Sequence, residues 1–317
     1  MSRVNLLLAA AVAGAGNQHP GAAGPARVGY VTTSDSAQLY YRITGTGPDT
    51  IIAIHGGPGV DLESIAADFA PLAARHVVVF YDQRGAGRSE LPADTLRLGV
   101  TRQIADLDEL RVRLGLGAVT LVAHSYGPLL AASYALAHPE AVRRMVFFGP
   151  VPPRRGDFWQ RFATNLRPRL DSADRARLAE ANRRLADPAS DARQACRDFW
   201  AVALKPRLAD PARTQPLIRS DLCGSDPRGI RYGLVTTNRV VMASFGDWDL
   251  RDRLRHLGIP TLVVHGEQDA IPMDLVQEWV TSLPRAELLK VPGAAHFTYV
   301  EQPGLVWPAV ERFLARP

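Results

Sequence analysis

The sequence predicts an α/β protein: a mostly parallel sheet of eight strands flanked by helices, with a helical insertion late in the chain. Three observations carry this. Short apolar, β-branched runs alternate with helical stretches, the pattern of strand–helix–strand units. The residues suited to chemistry fall at the C-terminal ends of those runs, where open parallel sheets bind ligands. Between the runs at 142–148 and 261–265 the composition shifts to Arg- and Ala-rich helical sequence.

Residues 27–31 and 38–43 read as two short strands forming an antiparallel edge. The sheet continues through 51–55, 76–81, 119–124, 142–148, 261–265 and 286–291. Helices are expected over 61–74, 101–115, 127–138, 273–283 and 303–315. The core is therefore assigned to 27–150 and 255–317, and the helical cap to 151–254. Residues 1–26 stand apart. An arginine precedes an apolar run from Val4 to Ala15, and small residues follow. This fits a secretory signal peptide and implies export; a disordered leader on a cytoplasmic protein is the alternative. The run is shorter than the roughly 20 residues a membrane span needs, so no stable membrane insertion is expected.

The most informative stretch is Ala123-His124-Ser125-Tyr126-Gly127, between the run 119–122 and a helical stretch. A serine in a tight strand-to-helix turn, with small residues two before and two after, fits a nucleophile elbow. Alanine stands where the pattern has its first glycine, and the physical requirement there is smallness. Upstream, the run 51–54 leads into His55-Gly56-Gly57-Pro58-Gly59. Acyl transfer needs backbone N–H donors for the developing oxyanion, one from such a loop and one from the residue after the nucleophile. Gly57 and Tyr126 are the candidates. A plain turn is the alternative; the loop has neither the G-x-G-x-x-G pattern nor a P-loop ending.

Downstream, the run 261–264 ends in His265-Gly266-Glu267-Gln268-Asp269, and the run 287–291 ends in Pro292-Gly293-Ala294-Ala295-His296. The chain order Ser125, Asp269, His296 gives a nucleophile, an orienting acid and a general base. The acid is the least determined member; Glu267, Asp274, Asp247 and Asp249 are alternatives. Taken singly, Ser125 reads as a helix N-cap and Asp269 as a turn former.

These motifs resemble the α/β-hydrolase fold. Within it, His55-Gly56-Gly57-Pro58-Gly59 followed by Asp82-Gln83-Arg84-Gly85-Ala86-Gly87-Arg88-Ser89 resembles the proline iminopeptidase branch, which includes tripeptidyl and other aminopeptidases. The resemblance covers most of 27–317, although the cap matches only in position and size. It implies a serine peptidase that removes N-terminal residues, often proline, from short peptides. The second motif reads as a structural turn near the rim.

One departure bears on the substrate. Such aminopeptidases hold the free ammonium with acidic side chains on the cap, typically glutamates. Residues 151–250 contain one glutamate, Glu180, and carry 17 Arg and 1 Lys against 11 Asp. Asp247-Trp248-Asp249 are candidates to substitute. His55, Trp159 and Trp200 are further candidate pocket residues, among the cap aromatics Phe158, Phe162, Phe199 and Phe245. A basic cap does not steer a cationic substrate; a solvated arginine-rich helix face is the plainer reading, and 35 Arg against 2 Lys suggests a compositional bias. A carboxylesterase or lactonase is therefore the alternative, with a cofactor-free haloperoxidase or a non-catalytic ligand-binding protein behind it. Carboxylates converging above Ser125 would favour the aminopeptidase, and an apolar or arginine-lined pocket the esterase.

The expected partner is a small molecule or short peptide. The sequence pI near 9.5 raises nucleic-acid binding, but no basic run is interleaved with aromatics. No Cys/His cluster has zinc spacing, so neither metal nor other cofactor is expected. Cys196 and Cys223 are expected to pair if the chain is exported and to remain thiols if it is not.

Overall fold

The apolar runs form one eight-stranded sheet in a computed structural model that describes residues 26–316. The expected leader lies outside those residues. The strands are β1 (Arg27–Thr32), β2 (Gln38–Thr44), β3 (Thr50–Ile54), β4 (Val77–Tyr81), β5 (Val119–His124), β6 (Val142–Phe148), β7 (Thr261–Gly266) and β8 (Ala286–Val291). Their order across the sheet is β1-β2-β4-β3-β5-β6-β7-β8. The β1/β2 and β2/β4 pairs are antiparallel. The remaining pairs are parallel, so β3, β5, β6, β7 and β8 all deliver their C-terminal ends to one edge.

Side chains alternate across a strand with period two, and here both faces are covered. Ile52, Ile54, Leu121 and Ala123 pack into one cluster, against the helices Val100–Arg113 and Gly127–Ala137. Ile51, Ala53 and Val122 face the opposite cluster with Phe69, Leu72, Val310 and Phe313. The helix Gly127–Ala137 lies under the sheet centre with most of its residues buried, which explains its nearly continuous apolar sequence.

The stretch 61–74 is not one helix. It divides into a short helix, Glu63–Ala66, and a 3₁₀ turn, Ala70–Ala74. Pro71 lacks an N–H and disfavours helical backbone in the residue before it.

Between β6 and β7 the chain runs through the helices Phe158–Leu166, Ser172–Ala186, Ala192–Ala203 and Asn238–Ser244, joined by shorter turns. Aspartates start several of them: the carboxylates of Asp171, Asp191, Asp210 and Asp226 each accept backbone N–H groups at a helix N-terminus. Cys196 and Cys223 form a disulfide with a Cα separation of 5.9 Å. It ties the helix that carries Phe199 and Trp200 to the loop that carries Leu222. Closing a loop with a sequence separation of 27 should stabilise the fold by about 3–4 kcal/mol. Urea unfolding of Cys196→Ser/Cys223→Ser should show a loss of that order; a loss below about 1 kcal/mol would mean the insertion is held by packing alone.

Candidate active site

Ser125 follows β5 directly and precedes the helix Gly127–Ala137, whose first turn carries Pro128. Its φ of 62° is in the left-handed region, which costs a non-glycine residue roughly 1–3 kcal/mol. Two hydrogen bonds hold it there: Ser125 N–H donates to the Phe148 carbonyl at 2.8 Å, and its own carbonyl accepts from Val151 N–H at 2.9 Å. Gly127 has no room for a side chain, because a Cβ would sit 2.8 Å from the Ile54 carbonyl oxygen. This is the close approach of two backbones that the small residues in the motif permit.

His296 lies on the loop after β8, and Asp269 on the turn after β7. The His296 ring bridges the other two: Nε2 is 3.0 Å from Ser125 Oγ, and Nδ1 is 2.8 Å from Asp269 Oδ2. The carboxylate can only accept, so Nδ1 carries the proton and Nε2 is free to accept the Ser125 hydroxyl. Gly149, at the end of β6, lets the ring sit there, since a Cβ would come within 2.9 Å of His296 Nδ1.

Burial alone would raise the Asp269 pKa. Electrostatic attraction to the neighbouring His296 and His265 rings and hydrogen bonds from His296 and Ile271 N–H outweigh it and hold it at about 2. Asp269 therefore stays ionised. The alternative acids are engaged or turned outward: Asp274 pairs with Arg161 and Asp249 with Arg251, while Glu267 and Asp247 are exposed.

Two nearby histidines are held neutral. His124 packs against His296 with ring centroids 4.8 Å apart; burial first, then the His296 charge, pushes its pKa well below the usual value. His265 sits 3.6 Å from Asp269 Oδ2, and burial lowers its pKa against the pull of that carboxylate. Neither is placed to take the Ser125 proton.

Gly57 lines the same cavity as Ser125, and Tyr126 follows Ser125 in the chain. Among the described residues, neither N–H donates to a protein acceptor. The Tyr126 side chain is buried against Phe245.

A cavity of about 340 Å³ opens over Ser125. Gly56, Gly57, Ser125 and His296 form its floor, and the insertion supplies Leu185, Phe199, Trp200, Arg207, Leu222 and Leu234. Among the described residues, no carboxylate side chain lines it. Of the candidate pocket residues, Phe199 and Trp200 reach it and the others do not. His55 is fully buried behind the loop, where its Nδ1–H donates to the Gly56 carbonyl and its Nε2 accepts from Gln83 N–H. Burial pushes its pKa down to about 4, so it is a neutral staple between two loops. Trp159 is 42% exposed and packs on Phe158 and Phe162. Trp248 is buried and donates to the Pro152 carbonyl. Asp247 and Asp249 lie outside the cavity, because the insertion folds their segment back against residues 153–155, just beyond β6: Leu250 N–H donates to the Pro153 carbonyl and Arg155 N–H to the Trp248 carbonyl.

Among the cavity residues that the sequence did not reveal is Arg207, one arginine among 35 with no local motif to mark it. The Asp82-to-Ser89 motif lies beneath the site and not in it. Asp82 accepts N–H groups of Leu62 and Arg88, and the fully buried Arg84 pairs with Asp35 and Asp106.

The profile of the alpha/beta hydrolase fold family matches residues 49–303. Among curated proteins, a proline iminopeptidase of Xylella fastidiosa is 28% identical over 294 residues, covering 86% of this chain and 92% of that protein. Among solved structures, a proline iminopeptidase of Mycobacterium smegmatis superposes with a TM-score of 0.67 at 24% identity, covering 91% of this chain and 97% of that one. A thermophilic esterase of Thermogutta terrifontis superposes with a TM-score of 0.65 at 23% identity, covering 91% and 98%. With the sheet order, the strand-to-helix turn at Ser125 and a family match over most of its length, this chain belongs to the alpha/beta hydrolase fold family.

Proposed function

We propose that this protein is a serine hydrolase that cleaves small esters through an acyl-enzyme. Ser125 attacks the ester carbonyl while His296 takes its proton; the Gly57 and Tyr126 N–H groups receive the oxyanion. His296 returns the proton to the departing alcohol and then activates the water that releases the acid. Asp269 keeps the imidazole in the productive tautomer and stabilises its protonated form. The helical segment between β6 and β7 acts as the cap that shapes the pocket.

The observation that carries the ester reading is the make-up of the cavity. It presents Arg207 and no carboxylate, so an N-terminal ammonium would meet a positive wall with no counter-ion. Four aspartates of the insertion are occupied at helix N-termini, Asp174, Asp198 and Asp249 pair with basic side chains, and Asp247 faces solvent. A second reading, an aminopeptidase of the proline iminopeptidase kind, is favoured by the 28% identity to the Xylella protein. The disulfide supports export to an oxidising compartment.

A parallel assay of p-nitrophenyl butyrate and proline p-nitroanilide separates the two. The ester should be cleaved with a kcat/KM at least about 100-fold higher, with Ser125→Ala as the blank. A preference for the proline anilide would replace the ester reading with the aminopeptidase one.

A further inference from the structure

We propose that Arg207 selects the substrate by binding a carboxylate carried by the ester that lies over Ser125. This rests on the ester-hydrolase reading and names its substrate class.

Arg207 ends a 3₁₀ turn, Lys205–Arg207, that follows the helix Ala192–Ala203. The turn is fixed to the reaction centre, because His296 N–H donates to the Arg207 carbonyl at 3.0 Å. Arg207 lines the cavity that Ser125 and His296 also line. A guanidinium has five N–H donors and remains charged in proteins. Among the described residues, the Arg207 side chain donates only to the Ala203 carbonyl, and no carboxylate lies within ion-pair distance of it. Its flat face lies 5.9 Å from the centroid of Phe162, which limits the directions it can point.

Several other arginines of the insertion have carboxylate partners. Arg154 pairs with Glu278, Arg161 with Asp274 and Arg184 with Asp198. Those pairs face solvent and belong to the surface. A charged group held largely out of water without a counter-ion is costly, and a protein relieves that cost by pairing it. Among the described residues no carboxylate pairs with Arg207 directly, and Asp269 attracts it only from beyond ion-pair distance; Arg207 lines the open volume, and the nucleophile is on the floor of the same volume. A carboxylate on the substrate completes the set through two parallel N–H···O bonds, the geometry a guanidinium is built for. The walls, Leu185, Phe199, Trp200, Leu222 and Leu234, then take the apolar part of the ester. The substrate class is a monoester bearing a free carboxylate, such as a half-ester of a short dicarboxylic acid.

Two matched probe pairs test this. Mono-p-nitrophenyl glutarate against p-nitrophenyl butyrate places the carboxylate on the acyl side; 4-carboxyphenyl butyrate against phenyl butyrate places it on the alcohol side. Wild type should prefer the anionic member of at least one pair. In Arg207→Gln that anionic-to-neutral ratio of kcat/KM should fall roughly 10- to 100-fold, mainly through KM, and Arg207→Lys should restore part of it. Thermal melts of both variants report whether the fold survives. The inference is overturned if wild type prefers neither anionic probe, if Arg207→Gln keeps the preference, or if both members of a pair lose activity equally, which is the signature of a displaced His296. Should wild type cleave no ester, the ester reading fails on its own. Labelling of Ser125 by a fluorophosphonate then decides this inference: millimolar glutarate should slow labelling of wild type but not of Arg207→Gln, and equal rates would sink it.

Discussion

Ser125→Ala is expected to lower kcat by about 10⁵- to 10⁶-fold on any ester the wild type cleaves. Removing a serine nucleophile from a coupled Ser-His-Asp unit costs nearly as much as removing all three members, because none works without the others. What remains is catalysis by the Gly57 and Tyr126 N–H groups and by binding. The substitution should be structurally mild. The left-handed backbone at position 125 is held by the Phe148 and Val151 hydrogen bonds, which use main-chain atoms alone. The variant should therefore keep the wild-type melting temperature and lose its burst of p-nitrophenol in stopped-flow mixing. Residual turnover within about 100-fold of wild type would mean that the serine is not the nucleophile.

Asp269→Asn should cost about 10⁴-fold in kcat, the size seen when the orienting acid of such a triad is neutralised without changing its shape. An amide at this position no longer fixes the Nδ1–H tautomer or stabilises the imidazolium formed when Ser125 attacks. The comparison variant is Glu267→Gln, on the same turn but exposed, which should change kcat less than about threefold. If the two behaved alike, the acid would have to be sought elsewhere. The acid titration carries a second consequence. Asp269 is held at about 2 in the folded protein, below the unfolded value near 3.9. Its ionised form thus stabilises the fold above the unfolded pKa, and that contribution is lost as pH falls through about 2. Asp269→Asn should be less sensitive than wild type to acid over this window.

Ser125, Asp269 and His296 were legible because each follows an apolar, β-branched run and each is of the residue type its role needs. A strand's C-terminal end in a parallel sheet is a position that local pattern can identify. The insertion was harder to read. Asp247 and Asp249 were attractive as carboxylates beside a tryptophan, yet Asp249 turns to Arg251 and Asp247 to solvent. His55 was attractive inside a glycine loop, yet its ring points back to Gln83. In each case residue type was right for a role that orientation removed.

By itself the sequence determined the layers, the two antiparallel edge strands, the position of the insertion and the chain order of the three chemical groups. These follow from periods of two and 3.6, from turn residues and from side-chain chemistry, all of which act over a few neighbours. Only the tertiary structure decided which residues of the insertion face Ser125, that no carboxylate is among them, and that Arg207 is. Those facts depend on how helices more than fifty residues from the nucleophile pack across the strand ends, and packing energy is set by shape and burial summed over many contacts. No short window of sequence contains that sum.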